Sequence, residues 1–317
     1  MYYDIFNGDA DGICALHQLR MAEPRESQLI SGVKRDNRLV MQVEGVRDAK
    51  ITVLDISLDI NREALLKVLD SCEVLYIDHH YAGDIPDTHA LTAHIDPSPD
   101  TCTSLIVDRL LEGRFRAWAV AAAFGDNLHD AARKAAASLP YDDAEIEELR
   151  ELGELLNYNG YGKTLADLHF SPTELFTAVQ SFADPLEFCR SSTVLSRLRS
   201  GFRDDMARAG ESEAVPVGNA GRVYRFPGEP WARRVAGVFS NEKAREIPEM
   251  AHVLMVDNNN GTFMVSVRAP LADRRQADEL CRAFPTGGGR AAAAGINELP
   301  AEQEKDFLRT FMETYSK

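Results

Sequence analysis

Short apolar runs alternate with segments of helical periodicity through the first half of the chain. The runs are Tyr2–Phe6, Leu29–Val33, Ile51–Leu54 and Val74–Ile77. They are apolar on both faces, which is typical of buried parallel strands. The helical segments are Ile13–Met21, Asn61–Leu69 and Ser104–Leu111. This βαβα rhythm predicts an α/β domain with a doubly wound, mainly parallel sheet, whose ligands gather at the carboxyl ends of the strands.

The second half changes character after a long helical region. Residues 142–156 and 171–209 have helical periodicity, which Gly, Pro, Glu and Asn interrupt at Gly210–Gly221. Beyond it, strands are predicted near Val223–Phe226, His252–Val256 and Thr262–Arg268, and helices near Arg233–Arg245, Ala272–Ala283 and Ala301–Tyr315. Asn258–Gly261 predicts a hairpin turn. We expect a first domain over 1–185, a helical linker over 186–212, and a smaller α/β domain with a mixed sheet over 213–317, with a cleft between the domains.

Composition narrows the class of protein. The 317 residues are 44% hydrophobic and 27% charged, close to the globular average. The chain contains no run of eighteen apolar residues, and Met1–Asp4 does not resemble the start of a signal peptide, so we expect a cytoplasmic protein without a membrane partner. Five scattered cysteines without a CxxC pair argue against a zinc ribbon or a disulfide framework.

The net charge of −15 is concentrated in the first two hundred residues, which hold 19 Lys and Arg against 33 Asp and Glu. Such an acidic surface argues against binding of long duplex nucleic acid. It is compatible with a site that gathers divalent cations, and equally with a merely soluble acidic exterior.

Acids and histidines follow the predicted strands of the first half. They lie in Asn7–Gly12, at Asp55, in Asp78–His80 and, after the apolar stretch Ala119–Phe124 that is also predicted as a strand, at Asp126. Carboxylates that meet at one sheet edge repel each other unless protons or cations neutralise them. Oxygen-rich ligands with one or two imidazoles suit Mn²⁺ or Mg²⁺ better than zinc. A shared aspartate would hold two ions roughly 3.5–4 Å apart, a spacing used in phosphoryl displacement.

Two further features suggest a bound anion. Thr286–Arg290 is rich in glycine and precedes the alanine run Ala291–Ala294, where a helix start would offer backbone amides to a phosphate. Arg268, at the end of a predicted strand, would face the same loop. Tyr158 and Tyr161 either stack on a base or form an aromatic plug between the domains.

Together these motifs resemble the DHH phosphoesterase superfamily, in which a catalytic domain precedes a DHH-associated substrate-binding domain. Its members include RecJ-type exonucleases, nano-RNases, cyclic-dinucleotide phosphodiesterases and, for the catalytic domain, family II pyrophosphatases. The resemblance covers nearly the whole chain, and the four N-terminal motifs match in order and spacing. It implies phosphoester hydrolysis by water that two metal ions activate, with Mn²⁺ as the expected ion and Mg²⁺ as an alternative.

The resemblance also assigns roles to individual residues. The implied metal ligands are Asn7, Asp9, Asp11, Asp55, His79 and Asp126. Asp9 would bind the first ion and Asp11 the second, and Asp55 would bridge them. The implied catalytic residues are Asp78, which orients its neighbours, and His80 beside the scissile phosphate. The implied substrate-binding residues are Arg268, Gly287, Gly288, Gly289 and Arg290.

Two positions depart from the family pattern. Asn7 stands where the family usually has a histidine, and an amide oxygen is the weaker ligand. Arg290 replaces the histidine of the family's Gly-Gly-Gly-His motif, and arginine holds phosphate but does not readily donate a proton. We expect these two departures either to weaken catalysis or to change the substrate specificity relative to the family.

We expect a phosphoesterase acting on short oligonucleotides, cyclic dinucleotides or nucleoside phosphates, with a homodimer as a possible assembly. Hydrolysis of polyphosphate or pyrophosphate is the alternative within enzymology. A regulatory nucleotide-binding protein with weak turnover is the alternative outside it, and Asn7 and Arg290 motivate that hypothesis.

Overall fold

The structure is a computed structural model that describes residues 1–316, and the chain divides into two compact units. The first is Met1–Gly201 and the second begins at Phe202. The strands of the first unit are β1 (Tyr2–Phe6), β2 (Gln28–Ser31), β3 (Lys50–Leu54), β4 (Glu73–Asp78) and β5 (Leu91–Ile95). Its helices are α1 (Ala10–Ala22), α2 (Leu58–Leu69), α3 (Thr103–Leu110), α4 (Arg116–Gly125), α5 (His129–Ala136), α6 (Asp143–Gly160), α7 (Pro172–Gln180) and α8 (Pro185–Ser191). Helix α9 (Thr193–Gly210) contains the boundary between the units.

All five strands of the first sheet are parallel, in the order β2-β1-β3-β4-β5. Helix α2 covers one face, where Leu65 and Val68 join the core formed by Ile5 and Val53. Helices α1, α3 and α7 pack on the other face. The predicted doubly wound α/β domain is thereby confirmed. The strand order reverses between β1 and β3, and such a switch point is where α/β sheets bind ligands.

The prediction of a strand over Ala119–Phe124 is wrong, because this stretch lies inside α4. Every residue from Ala117 to Gly125 is buried, since α4 packs against α1, α3, α5 and α6. A helix buried on all sides is apolar all round and so lacks the amphipathic pattern that identifies a surface helix. Alanine, the residue that dominates the stretch, is also the strongest helix former.

The second unit is built on a six-stranded mixed sheet. Its strands are β6 (Val215–Val217), β7 (Gly221–Phe226), β8 (Ala251–Asp257), β9 (Thr262–Arg268), β10 (Gly287–Arg290) and β11 (Ala293–Pro300). Their order is β10-β11-β9-β8-β7-β6; β7 and β8 run parallel, and the other neighbouring pairs are antiparallel. The helices are α10 (Pro230–Glu246), α11 (Ala277–Arg282) and α12 (Glu304–Tyr315). The hairpin predicted at Asn258–Gly261 is confirmed between β8 and β9.

The prediction of a helix that starts in the alanine run is wrong, because strands occupy this stretch. Gly287–Arg290 forms the edge strand β10, and Ala293 already belongs to β11. Glycine is required here by close packing, because a Cβ on Gly287 would lie 1.8 Å from the carbonyl oxygen of Cys281. Gly289 has a φ of +139° and would crowd Ala294 in the same way. Gly287 and Gly289 therefore have a structural explanation that involves no bound anion, whereas a Cβ on Gly288 would meet no atom within 4 Å.

Two features bear on the compositional predictions. All five cysteines are buried free thiols. Within residues 1–316, none of the helices combines the length and the apolar composition needed to cross a bilayer.

Candidate metal centre

The segment after β1 places two aspartates at the switch point. Asp9 caps α1, and its Oδ1 accepts hydrogen bonds from the backbone N–H groups of Asp11 and Gly12 at 3.0 and 3.1 Å. Gly12 has no room for a side chain, because a Cβ would lie 2.2 Å from the carbonyl oxygen of Asn7. The turn and the first turn of α1 thus hold Asn7, Asp9 and Asp11 together, all buried, at the carboxyl end of β1.

Asp11 is held by a second helix. Its two carboxylate oxygens accept from the backbone N–H groups of Thr103 and Ser104, both at 2.7 Å, at the start of α3. Burial raises the pKa of Asp11, and the charge of Asp126 adds to that increase. Each oxygen keeps one lone pair beyond these hydrogen bonds, so the carboxylate is oriented and can still bind a cation.

Asp55 lies at the centre of the cluster, at the carboxyl end of β3. Its backbone is in the left-handed region, with φ of +58°, a conformation that costs a non-glycine residue roughly 1–2 kcal/mol. Its Oδ1 accepts a hydrogen bond from the hydroxyl of Thr103 at 3.3 Å. Burial, together with the charges of Asp11 and Asp9, raises the pKa of Asp55 well above its usual range. Strain and charge repulsion concentrated on one residue are typical of a functional position.

His79 faces the same carboxylates from the end of β4. Its Nδ1 lies 3.0 Å from the carbonyl oxygen of Thr101, which can only accept, so Nδ1 carries a proton. Nε2 lies 3.3 Å from Asp55 Oδ1 and 3.6 Å from Asp126 Oδ2. In the neutral ring the Nε2 lone pair therefore points at carboxylate oxygens, an arrangement that a cation between them would stabilise.

Asp126 reaches the cluster from the C-terminal end of α4, and donor atoms of Asp11, His79 and Asp126 all lie within 4.8 Å of one another. Octahedral coordination at 2.0–2.1 Å separates neighbouring ligand atoms by about 3 Å and opposite ones by about 4 Å. The spacing and the hard oxygen donors with one imidazole therefore fit Mn²⁺ or Mg²⁺. A second group with the same spacing is Asp55, His79 and His80, so His79 is common to both groups. Since Asp78 engages His80 and Asp55 Oδ1 lies 3.3 Å from His79 Nε2, the residues that would hold the ion are Asp11, Asp55, His79 and Asp126.

His80 and Asp78 form a pair beside this set. Asp78 is fully buried, and its Oδ1 accepts from the backbone N–H of His79 and lies 2.7 Å from His80 Nδ1. Burial alone would lower the pKa of His80, but the hydrogen bond and charge of Asp78 raise it above the ordinary value. The structure thus brings Asp78 and His80 to the same sheet edge as the metal-ligand candidates.

Lys34, three residues beyond β2, was not among the sequence candidates. Its Nζ lies 2.5 Å from Asp9 Oδ2 and 3.2 Å from Asp126 Oδ1, and it donates to Asn157 Oδ1 at 2.8 Å. Burial by itself lowers the pKa of Lys34, but the Asp9 charge outweighs it and raises the pKa well above the usual range. Despite burial, the same pair holds the pKa of Asp9 below its ordinary value. A basic residue after a strand of the same sheet was the available signal, because its side chain reaches the edge where the acids gather.

Asn7 lies at this edge, beside Lys34. Its side-chain N–H donates to the carbonyl oxygen of Lys34 at 3.3 Å, and its Oδ1 is buried without a hydrogen-bond partner among the described residues. Tyr158, in contrast, cannot stack on a base, because it is fully buried and its hydroxyl lies 2.7 Å from His169 Nε2. The ring of Tyr161 lies beside Lys34, with Nζ 5.6 Å from its centroid.

The substrate-binding candidates lie in the second unit. Ala293 is in register with Arg268 on β9 and with Arg290 on β10, so the two arginines share one row and one face of the sheet. The Arg268 guanidinium donates to Asn241 Oδ1 at 2.7 Å and to Ser266 Oγ at 2.9 Å. Arg290 is exposed, and Gly287–Gly289 line the same edge strand.

No family model and no curated protein sequence matches the chain. Solved structures do match. A DHH-domain protein, described as a member of a family of ribosomal proteins, aligns with 99% of this chain and 86% of its own, at 13% identity and a TM-score of 0.67. The exonuclease RecJ bound to manganese aligns with 100% of this chain and 90% of its own, at 15% identity and a TM-score of 0.64.

The pGpG-specific phosphodiesterase PggH from Vibrio cholerae aligns with 100% of this chain and 99% of its own, at 13% identity and a TM-score of 0.55. These likenesses extend over both units, and identities this low speak for the fold alone. The structural likenesses are consistent with the resemblance that was based on the acidic and histidine motifs after β1, β3 and β4. The chain has the fold of these DHH-domain and RecJ structures.

Proposed function

We propose that this protein is a divalent-metal-dependent phosphoesterase, with Mn²⁺ as its ion. Its proposed substrates are the phosphodiester or phosphomonoester bonds of short oligonucleotides, cyclic dinucleotides or nucleoside phosphates. The observation that carries the proposal is the orientation of His79: Thr101 fixes Nδ1, so Nε2 faces Asp55 and Asp126 at 3.3 and 3.6 Å. Asp11 completes a donor set suited to a hard cation.

A bound divalent cation would supply Lewis-acid stabilisation of the charge that develops on the phosphoryl oxygens and would lower the pKa of water. The protein side chains supply the remaining functions. Asp11, Asp55 and Asp126 are buried or half-buried carboxylates held by backbone N–H groups, Thr103 and Lys34, so they need little reorganisation to bind the ion. This preorganisation supports a catalytic role for the cluster.

His80 is proposed as the proton donor. Asp78 holds Nδ1 of His80 and favours the protonated ring, while 45% of the His80 side chain remains accessible. In the proposed hydrolysis the water oxygen bonds to phosphorus and the ester P–O bond breaks. The leaving oxygen takes a proton from Nε2 of His80, and the proton lost by the water regenerates the acid through solvent.

In the second unit, Arg268 and Arg290 are proposed to bind a phosphate of the substrate. Two paired strands separate the arginines by roughly 10 Å across Ala293, whose small side chain leaves the row open between them. A guanidinium at each end of such a row matches two phosphates better than one.

The alternative that the structure strengthens is hydrolysis of polyphosphate or pyrophosphate. Stacking of a base on Tyr158 was an argument for nucleotides, and the burial of Tyr158 removes it. Nucleotides remain the first candidate, because Tyr161 is only half-buried and Tyr81 is exposed just beyond His80.

The test is a panel of dinucleotides, cyclic dinucleotides, nucleoside bisphosphates, pyrophosphate and polyphosphate, incubated with the full chain and Mn²⁺. We expect turnover of at least one nucleotide, loss of turnover in EDTA, and roughly 10²–10³-fold slower turnover by Asp55→Asn. Asp70→Asn is the matched control, because Asp70 is exposed at the end of α2. Turnover that persists in EDTA, or an Asp55→Asn variant as active as the control, contradicts the proposal. If only pyrophosphate or polyphosphate is hydrolysed, the alternative function, hydrolysis of inorganic phosphates, replaces the proposed action on nucleotides.

A further inference from the structure

Lys34 fills the coordination space of one carboxylate of the cluster. Asp9 uses Oδ1 to accept two backbone N–H groups, and its other oxygen lies 2.5 Å from Lys34 Nζ. The remaining N–H groups of the ammonium are directed to Asp126 and Asn157, at 3.2 and 2.8 Å. All three donors of the ammonium are therefore occupied by oxygens of this site.

The backbone of Lys34 is fixed on both sides. Its N–H donates to the carbonyl oxygen of Gly160 at 2.8 Å, at the end of α6, and its carbonyl oxygen accepts from the side chain of Asn7 at 3.3 Å. Only 22% of the Lys34 side chain is exposed. The ammonium is thus delivered to Asp9 by a held segment, in contrast to a surface lysine that samples many rotamers.

The carboxylates around Asp55 differ from Asp9 in how they contact cationic side chains. Asp126 Oδ2 faces His79 and is not a partner of Lys34, whose contact is with Oδ1. The carboxylate of Asp11 is bound by backbone N–H groups of α3, and no lysine or arginine within residues 1–316 pairs with it. At Asp9, the positive charge is supplied by the Lys34 ammonium. Within residues 1–316, no lysine or arginine pairs with Asp11 or Asp55, and the Lys34 ammonium reaches only Oδ1 of Asp126, which leaves Oδ2 facing His79.

We propose that the Lys34 ammonium takes the place of one of two divalent cations, so that the chain binds a single ion, through Asp11, Asp55, His79 and Asp126. This inference rests on the proposed function and deepens it, since it makes the site a one-ion centre with a lysine. Lys34 is then the second positive group that faces the substrate phosphate. A second divalent ion at Asp9 would share a carboxylate oxygen with the ammonium and be repelled by it.

The test counts Mn²⁺ in the full chain after equilibration with excess metal and removal of the unbound ion, by elemental analysis against protein concentration. The wild type and Lys34→Arg should hold one Mn²⁺ per chain, and Lys34→Met should hold two, because Asp9 Oδ2 is released. Electron paramagnetic resonance should give the spectrum of an isolated Mn²⁺ in the first two proteins and of a coupled pair in Lys34→Met. Lys50→Met is the control, because Lys50 is 60% exposed and pairs with Glu73 on the neighbouring strand.

Two Mn²⁺ ions in the wild type, with a coupled spectrum, would overturn the inference and leave the proposed function intact. In that case the buried Oδ1 of Asn7 would be the natural additional ligand. A Lys34→Met protein that still binds one ion would also overturn it. A wild type that binds no Mn²⁺ would overturn the proposed function together with the inference. If Lys34→Met does not fold, the wild-type stoichiometry and spectrum decide the matter alone.

Discussion

The Lys34–Asp9 ion pair should be a major source of stability in the metal-free protein. At an effective dielectric constant of 20, the attraction of Lys34 Nζ for Asp9 Oδ2 at 2.5 Å is about 7 kcal/mol, and for Asp126 Oδ1 at 3.2 Å about 5 kcal/mol. Dehydration of the buried groups offsets much of this gain. Removing one partner leaves Asp9 buried and unpaired, so Lys34→Met should lower the free energy of unfolding by about 3–5 kcal/mol in EDTA.

A double-mutant cycle tests this pairing. Its second variant is Asp9→Asn, which keeps an oxygen for the N–H groups of Asp11 and Gly12. In the Asp9→Asn background, Lys34→Met should cost at least about 2 kcal/mol less than it does alone. Urea unfolding is followed by the fluorescence of Trp118, in a Trp231→Phe background because Trp231 belongs to the other unit. A cost below about 1 kcal/mol, or an equal cost with and without the Asp9 charge, would refute the ion-pair reasoning. Saturating Mn²⁺ should reduce the difference in free energy of unfolding between the wild type and Lys34→Met, since in the variant the ion neutralises Asp9 in place of the ammonium.

Three further predictions concern other residues. In EDTA, Asp55→Asn should raise the free energy of unfolding by about 1–2 kcal/mol, although the same variant slows turnover in Mn²⁺, because it removes a buried charge at a φ that asparagine tolerates. A destabilised variant would contradict the repulsion inferred for this cluster. Burial lowers the pKa of His17 from 6.5 to about 4, so below pH 6.5 only the unfolded chain takes up a proton. From pH 6.5 down to 4, wild-type stability should therefore fall by about 3 kcal/mol more than that of His17→Gln, as urea titrations would measure, and parallel curves would exclude a neutral buried His17. Arg290→Ala should raise KM more than it lowers kcat in steady-state assays, and an unchanged KM would remove Arg290 from substrate binding.

Most residues of the candidate metal centre could be predicted from the sequence, because they follow the strands of a parallel sheet. Parallel strands that are apolar on both faces are recognisable, and their carboxyl ends meet at one edge, so Asp9, Asp55 and His79 could be placed together from their positions along the chain. Asp126 was placed at this edge for the wrong reason. It follows a fully buried helix, and burial on every side erased the 3.6-residue pattern that separates such a helix from a strand.

Other features could not be derived from local pattern. Lys34 becomes part of the centre only through the packing of Gly160 and Asn157 of α6 against the segment after β2. A run of three glycines is compatible with an anion-binding loop and with a tightly packed edge strand, and the close contacts of Gly287 with Cys281 and of Gly289 with Ala294 become visible only in the structure. Strand β5 was missed because its five residues Leu91–Ile95 include a polar threonine and histidine at a half-buried edge of the sheet.

The most direct test of the metal centre is an anomalous difference map at the manganese absorption edge, from crystals of the full chain grown with Mn²⁺. We predict a strong peak within bonding distance of Asp11, Asp55, His79 and Asp126. Absence of a peak among these four side chains, with manganese elsewhere or nowhere in the chain, would contradict the account.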